Sequence, residues 1–440
     1  MLDPSSKSGS DEHRAWHTLD GPLESPVITL SEAQDYVRAT LVALRPVDVA
    51  LEEALGCVTS ERIIAREPVP GFDNSSMDGY ALRAADTVVA PVQLRVTGAI
   101  YAGDPSSSRL SAGEAMRIMT GAPLPLGADS VCMIEEANDN ASGHTVVIGR
   151  TIKVGEFVRH PGDDIGVGQV LLEPGVVLNG AQIGVLASQG LESVRVHPRP
   201  RVGVLSTGNE LSGPGFALGA GKIRDTNRPM LLALLRESGF TAVDWGISGD
   251  DPAEIAAALR RGVDGCDAVV ASGGVSVGDL DYVKTVLKDI CEGRARWMQV
   301  AIRPGKPFAY GIAGRNATPI FGLAGNPVST RVGFEMFVRP ALRYLAGRQE
   351  VQRPTITMVL DCPMERSRDA KLHLVHAVSR LHDDGQWHVE SAARPGSHLL
   401  NAVASANAIV MLPDGEGVGI GGNVSALLLD LNASPPKSGH

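Results

Sequence analysis

Residues 268–290 restrict the fold more than any other stretch of this sequence. An apolar run, Ala268 to Ala271, leads into Ser272-Gly273-Gly274-Val275-Ser276-Val277-Gly278-Asp279-Leu280-Asp281-Tyr282, and a helical pattern follows from Asp281 to Ile290. Strand, glycine turn and helix form the arrangement in which backbone N–H groups converge on an anion. Glycine permits positive φ and lets a ligand come close to the backbone. Ser272, Gly273, Gly274 and Ser276 are therefore candidate anion contacts, and Asp279 and Asp281 can hold a divalent cation or a proton. The same residues also fit a plain strand-to-helix turn capped by Asp281. The neighbouring motifs discriminate between the two.

From Val202 onward strands alternate with helices, the pattern of a mostly parallel sheet. A strand over 202–205 ends at Ser206-Thr207-Gly208-Asn209-Glu210. Ile223-Arg224-Asp225-Thr226-Asn227 precedes an expected helix over 228–238, with Thr226 or Asn227 as cap, Pro229 in its first turn and Gly239 at its end. A strand over 241–247 follows, then a helix capped by Asp251 with Pro252 first. Strands around 297–302, 308–312 and 319–323 complete the set. Ligands of such sheets sit beyond the carboxyl ends of the strands. That rule gathers 207–210, 225–227, 272–281 and Gly325-Asn326-Pro327-Val328-Ser329 on one rim. Asn326 caps, Pro327 presets the first helical φ, and Ser329 offers a hydroxyl where the helix dipole favours anions. Nearby, Arg303-Pro304-Gly305-Lys306-Pro307 holds two cations on a short stiff loop. Oxyanion donors, two cations and several carboxylates together suit a phosphate-bearing ligand with a divalent metal.

The first half of the chain is organised differently. Ser31 with Gln34 three residues on is a weak capping box, and Val37, Leu41 and Leu44 recur at helical spacing before Pro46. After a Pro-rich loop comes Asp73-Asn74-Ser75-Ser76-Met77-Asp78-Gly79, dense enough in Asp, Asn and Ser to satisfy its own backbone and leave its carboxylates oriented. Short alternating runs between Val88 and Val158 read as an all-β module. Within it Arg117-Ile118-Met119-Thr120-Gly121 ends a strand on a hydroxyl, and Gly162-Asp163-Asp164-Ile165-Gly166 closes it with two carboxylates, locally a solvated turn or a metal contact. An apolar helix over 178–188 and the stiff Pro198-Arg199-Pro200 precede the α/β part. The boundaries expected are a disordered leader (1–26), a helical linking domain (27–66 plus 159–198), an inserted β domain (67–158), an α/β domain (199–348), a C-terminal β domain (349–431) and a disordered tail (432–440).

Composition narrows the function classes. A net charge of −10 without a long basic run, and an aromatic share of 4%, argue against nucleic-acid binding and leave aliphatic residues and alanine to fill the cores. The five cysteines are scattered with no Cys-x-x-Cys spacing, so each is read as a small buried hydrophobe. No apolar run approaches the ~20 residues of a membrane span, and no signal-peptide pattern is present, so a cytoplasmic location without membrane contact is expected.

Taken in order, DNSSMDGYAL (73–82), RIMTGAP (117–123), GDDI (162–165), STGNEL (206–211), IRDTN (223–227), SGGVSVGDLDY (272–282), IRPGKPFAYG (302–311) and GLAGNPVS (322–329) make the sequence resemble the molybdopterin molybdenumtransferase family. This is the MoeA type, related to the C-terminal domain of gephyrin. The resemblance implies a multidomain α/β plus β fold: a MogA-like doubly wound α/β domain, an inserted β domain, a helical linking domain and a small C-terminal β domain. It implies insertion of molybdenum from molybdate into adenylylated molybdopterin with release of AMP, supported by Mg2+, in a homodimer with a composite site. A transient contact with the adenylyltransferase of the preceding step is a further implication. By position, Ser276, Ser329, Arg303 and Lys306 would contact molybdate or the pterin phosphate, with Ser272, Gly273, Gly274, Asn326, Pro327 and Ser397 around them. Asp225, Glu210, Asp279 and Asp281 would serve metal binding and adenylate hydrolysis, and Asp73, Asp78, Thr120 and Asp164 would complete the site from the other subunit.

Some positions depart from the family pattern. Asn209 stands where Asp is usual, Ala324 where Pro is usual, and His398 and Asn401 where small residues are usual. An adenylyltransferase-like enzyme would carry a Thr-Gly-Gly-Thr-Gly type loop rather than Ser-Gly-Gly-Val-Ser. A non-catalytic dimeric scaffold would have no use for the polar rim.

Overall fold

The computed structural model describes residues 27–104, 108–139, 143–215, 217–274, 282–392 and 399–429. They form two units. The first takes the chain up to Val47, Gly56–Ser60 and everything from Arg195; the second takes Asp48–Leu55 and Glu61–Val194.

The first unit opens with β1 (Val27–Ile28) and α1 (Leu30–Thr40). The capping box is made by Thr29 and Glu32, not by Ser31 and Gln34, so the helix is capped two residues earlier than the sequence suggests. Gln34 instead donates to Met336 O at 2.7 Å. Ala33, Val37 and Leu41 enter the core of this unit.

The second unit is built from strands. β2 (Asn74–Ser75) is followed by β3 (Gly79–Leu82), β4 (Val92–Ile100), β5 (Glu114–Ile118), β6 (Ser130–Met133), β7 (Ala137–Asp139), β8 (Thr145–Ile148) and β9 (Val158–Arg159). Six of them make one sheet in the order β7-β8-β4-β5-β3-β6, while β2 pairs antiparallel with β9. Alternation puts Tyr80, Leu82, Leu94, Val146 and Ile148 inside, as the period-2 pattern requires. Helix α2 (Gly180–Ala187) is capped by Asn179 in a box with Gln182, and Gly190 takes positive φ beyond its end.

The rest of the first unit is an α/β layer and a barrel. The strands are β10 (Arg201–Thr207), β11 (Thr241–Ser248), β12 (Ala268–Ser272), β13 (Ala295–Val300), β14 (Ile302–Arg303), β15 (Pro307–Ala313) and β16 (Thr318–Leu323). The helices between and after them are α3 (Asn227–Glu237), α4 (Pro252–Gly265), α5 (Tyr282–Ile290), α6 (Pro327–Gly333), a π-helical turn (Phe334–Val338) and α7 (Arg339–Leu345). The seven-stranded sheet runs β1-β13-β15-β16-β12-β10-β11, with β15 antiparallel to both neighbours. Asp251 caps α4 with Pro252 first, as the sequence indicates, whereas neither Thr226 nor Asn227 caps α3 with its side chain. The carboxylate of Asp225 accepts from Arg228 N there, at 3.2 Å.

Ile302 does not continue the strand before it. Ile302 and Arg303 leave the sheet as β14 and pair with the next module. That module holds β17 (Thr355–Leu360), β18 (Leu372–Leu381), β19 (Trp387–Ser391), α8 (Leu399–Ser405), β20 (Ala408–Leu412) and β21 (Asn423–Leu428). The order β14-β18-β19-β17-β21-β20 closes through a β18–β20 pairing, which makes a small barrel.

Scarce aromatics are concentrated rather than absent from the core. Phe308, Tyr310, Phe321, Phe334 and Phe337 share the main cluster, and the Phe308 and Phe337 rings stack at 4.0 Å. Each such ring buries far more area than an alanine, so a few of them anchor the helix to the sheet. Four cysteines are buried as expected, but Cys362 is exposed. Among the described residues no helix is long and apolar enough to cross a membrane.

His376, on β18, is buried and its Nε2 has no partner among the described residues. Burial, reinforced by the Arg331 cation, pushes its pKa down from 6.5 to about 4. The unfolded chain therefore binds the extra proton between those values, so stability is intact above the unfolded pKa and falls as the pH drops toward the folded one. This residue is expected to remove about 3 kcal/mol between pH 7 and pH 4 in urea titrations. His376→Leu should flatten that part of the profile; an unaltered slope would show that the ring is already solvated.

Candidate functional site

The carboxyl ends of β10, β12 and β16 stop level with one another, because Ser206 pairs with Ser272 and Ser272 with Leu323. The turns that follow leave on one rim. Gly273 and Gly274 both have positive φ, and a Cβ on Gly273 would stand 2.5 Å from Thr207 O and 2.9 Å from its Oγ1. On Gly274 it would meet Val283 Cγ2 at 2.6 Å. Glycine is required here by contact as well as by conformation.

Asn227 ties two of these turns together. Its Nδ2 donates to Ser272 Oγ at 2.8 Å and to Gly325 O at 2.7 Å. Read from sequence only as a cap, Asn227 is buried and its Oδ1 has no partner among the described residues. Asp225 is also buried, and both oxygens are engaged. Oδ1 accepts from Ser206 Oγ at 3.0 Å and from Arg228 N, and Oδ2 accepts from Arg228 Nε at 2.9 Å. Burial works against the Arg228 cation, but the carboxylates of Asp244 and Asp225 outweigh it and hold the guanidinium charged. Glu210, by contrast, is exposed, and a Cβ on Gly208 would run into its carboxylate. Asn209 exchanges hydrogen bonds with Asp250, donating from its N to Asp250 Oδ2 at 2.9 Å and accepting from Asp250 N at 3.1 Å.

At the last turn Asn326 Oδ1 accepts from Val328 N at 2.9 Å and Ser329 N at 3.4 Å, with Pro327 first in α6. These donors are thus shared with the cap, and Ser329 is left with its hydroxyl. The cationic loop lies against this turn: a Cβ on Gly305 would be 3.7 Å from Ser329 O. Lys306 is exposed and forms no ion pair among the described residues. Arg303 is 3.6 Å from Asp369, a barrel residue brought in by the β14–β18 pairing. Burial raises the Asp369 pKa, yet hydrogen bonds and charge from His373 and Lys371 hold it at about 2. Arg366, Asp369, Lys371 and His373 were missed in the sequence, although the basic run 366–373 marks them.

The remaining residues lie in the β unit. Asp78 Oδ1 accepts from Thr120 N at 2.7 Å and Thr120 Oγ1 at 2.8 Å, and the backbone bond lowers its pKa. Asp73 Oδ1 is 2.7 Å from Nδ1 of His160, another residue the sequence did not single out. The β2–β9 pairing sets that contact, matching Asn74 with Arg159. Asp164 is exposed, its N donating to Val69 O at 3.0 Å. Three loops of this unit thus present Asp73, Asp78 with Thr120, and Asp164. Ser276, Asp279, Asp281 and Ser397 lie outside the described residues.

The close approach at Gly273 gives a direct test. Gly273→Ala is expected to cost about 3 kcal/mol in denaturant unfolding. Gly293→Ala, with φ +80° but open space around it, should cost about 1 kcal/mol. Equal losses would mean that the Thr207 contact does not impose the glycine.

Comparison with known proteins covers the same ground. Families described as MoeA N-terminal region (domain I and II), probable molybdopterin binding domain, and MoeA C-terminal region (domain IV) match residues 28–190, 203–344 and 365–429. A Haemophilus influenzae protein named molybdopterin molybdenumtransferase is 36% identical over 376 residues, 86% of this chain and 90% of that one. Molybdopterin molybdenumtransferase 2 of Mycobacterium tuberculosis is 38% identical over 395 residues, 88% and 95% of the two chains. The crystal structure of the molybdopterin biosynthesis MoeA protein from Pyrococcus horikoshii superposes with a TM-score of 0.75 at 30% identity, covering 92% of this chain and all of that one.

Proposed function

We infer that this chain, which belongs to the MoeA family, is a molybdopterin molybdenumtransferase acting in molybdenum cofactor biosynthesis. Its substrates in this reading are molybdate and adenylylated molybdopterin, and the products are the metal-loaded cofactor and AMP. The observation that carries the chemistry is the exposed pair Arg303 and Lys306 set against Ser329 on the rim of the sheet. A cation without an ion-pair partner beside a hydroxyl is suited to a tetrahedral oxyanion.

The roles follow from what each side chain has free. Lys306 and Arg303 bind oxyanion charge, with Ser329 as hydroxyl donor and Ser276 as a further contact from the glycine turn. Gly273 and Gly274 let the ligand reach the backbone, and Ser272, Asn326 and Pro327 hold the turns in place. Asp225 has no free oxygen, so it positions the 223–227 turn through Arg228 and Ser206 rather than attacking the adenylate. Glu210 has an exposed carboxylate of the hard-oxygen type that Mg2+ prefers, and with Asp279 and Asp281 would hold that ion. When bound, Mg2+ supplies neutralisation of phosphate charge. Ser397 is assigned to the pterin-facing edge.

Asp73, Asp78, Thr120 and Asp164 are read as completing the site from the β unit of a second copy, making a homodimer. A cytoplasmic location and a transient contact with the adenylyltransferase accompany this reading.

Purified protein given adenylylated molybdopterin, Mg2+ and molybdate should release AMP in proportion to molybdate and yield active cofactor. Absence of molybdate-dependent AMP release would overturn the function. Lys306→Ala should raise the molybdate requirement roughly 5–30-fold, one to two kcal/mol for a charged contact. The composite site is tested by co-expressing Asp78→Ala and Lys306→Ala chains. A mixed dimer keeps one intact site, so about a quarter of wild-type activity should return. No recovery in isolated mixed dimers would place the whole site in one chain.

A further inference from the structure

Helices α6 and α7 and the π turn between them run without a break from Pro327 to Leu345. π turns inside helices are uncommon and recur at functional sites. This one carries Glu335, with Arg331 on the turn before it and Arg339 after it. All three belong to a charged cluster beside a cavity of about 900 Å3 bounded by α3, this helix and α8. Met230, Leu234 and Leu429 give it apolar walls, and Asp225 lies at its rim-side end.

The charges do not balance. Arg353 is satisfied, donating to Glu335 from Nε at 2.7 Å and to Leu429 O at 2.7 Å. Arg331 Nη1 is 2.8 Å from Glu335 Oε1 and has no other acceptor among the described residues. Arg339 is less well provided for: its Nε and Nη1 are buried and without a partner among the described residues. Three guanidinium groups face one buried carboxylate, an excess of two positive charges, and the other acid lining the cavity besides the engaged Asp225 is the exposed Glu237. Burial and repulsion from Arg353 already push the Arg339 pKa down to about 10. Guanidinium nitrogens shut off from water without an acceptor are costly unless an anion joins them.

We propose that this cavity binds a phosphate monoester, its dianion between Arg331 and Arg339 and its organic body against Met230, Leu234 and Leu429. An inorganic oxyanion would fill only a small part of the space, and the apolar walls would then face nothing. The site is separate from the Arg303 and Lys306 pair, and it does not depend on the molybdenum reading.

Phenyl phosphate, with phenol and inorganic phosphate as controls, is the probe for calorimetric titration of the full-length protein. Wild type should bind phenyl phosphate saturably and more tightly than inorganic phosphate, and should not bind phenol. Arg339→Met should weaken that binding about tenfold or more. Without ligand the variant should melt at or above wild type, which a merely structural arginine would not do. The Arg303→Ala, Lys306→Ala double variant should bind within about twofold of wild type. Loss of binding in that double variant but not in Arg339→Met would assign the ligand to the rim and overturn the proposal, as would no binding by wild type. Hydrogen exchange on wild type decides the matter if Arg339→Met does not fold: 227–237 and 339–345 should slow with phenyl phosphate, and unchanged exchange overturns the site.

Discussion

The rim rests on the close approach of three strand ends. β10, β12 and β16 finish level, and the backbone of Gly273 passes Thr207 at a distance that leaves no room for a Cβ. Asn227 then bridges Ser272 and Gly325 with one NH2 group, so the turns after the neighbouring strands β12 and β16 are fixed by a single side chain. The turn that delivers Asn227 is itself anchored by Asp225, whose charge can be buried because Arg228 and Ser206 occupy its oxygens. Breaking one partner of such a buried pair leaves a charge uncompensated, at a cost of several kcal/mol. A packed strand edge, an amide clamp and a salt bridge therefore act as one support beneath the rim.

Two kinds of arginine follow from this. Arg228 and Arg353 are consumed by carboxylates and serve the fold. Arg303 is exposed and lightly held by Asp369, and Lys306 is exposed beside it, so their charge remains available at the surface of the site. Arg339 is a third case, half-buried, with its Nε and Nη1 shut off from water and without an acceptor among the described residues. Counting cations in the sequence cannot separate these three conditions, since each depends on burial and on which carboxylate comes within reach.

Much of the framework was legible. Asp251 before Pro252 and Asn326 before Pro327 are local signals, and both helices start where those residues put them. Gly190 and Gly239 end their helices at positive φ for the same reason. Where two local signals competed, the reading slipped: Thr29 with Glu32 displaced Ser31 with Gln34, and the Asp225 carboxylate displaced Thr226 and Asn227 at the start of α3. Non-local contacts were out of reach. His160 meets Asp73 across a separation of 87 residues, and Arg303 meets Asp369 because a two-residue strand leaves one sheet for another. The aromatic share was low, yet Phe308, Tyr310, Phe321, Phe334 and Phe337 gathered in one core.

By itself the sequence determined the alternation of strands and helices, the capped helix starts, the glycine turn after Ala268–Ser272, and the ordered motifs shared with the MoeA family. Those features act over a few residues through φ preferences, capping bonds and side-chain periodicity, so they are written locally. The tertiary structure alone decided that Asp225 is locked, that Glu210 and Lys306 are exposed, and that Asn227 is a clamp. Whether a polar group is available depends on its distance from partners and from water, and both are set by chain segments far apart in sequence.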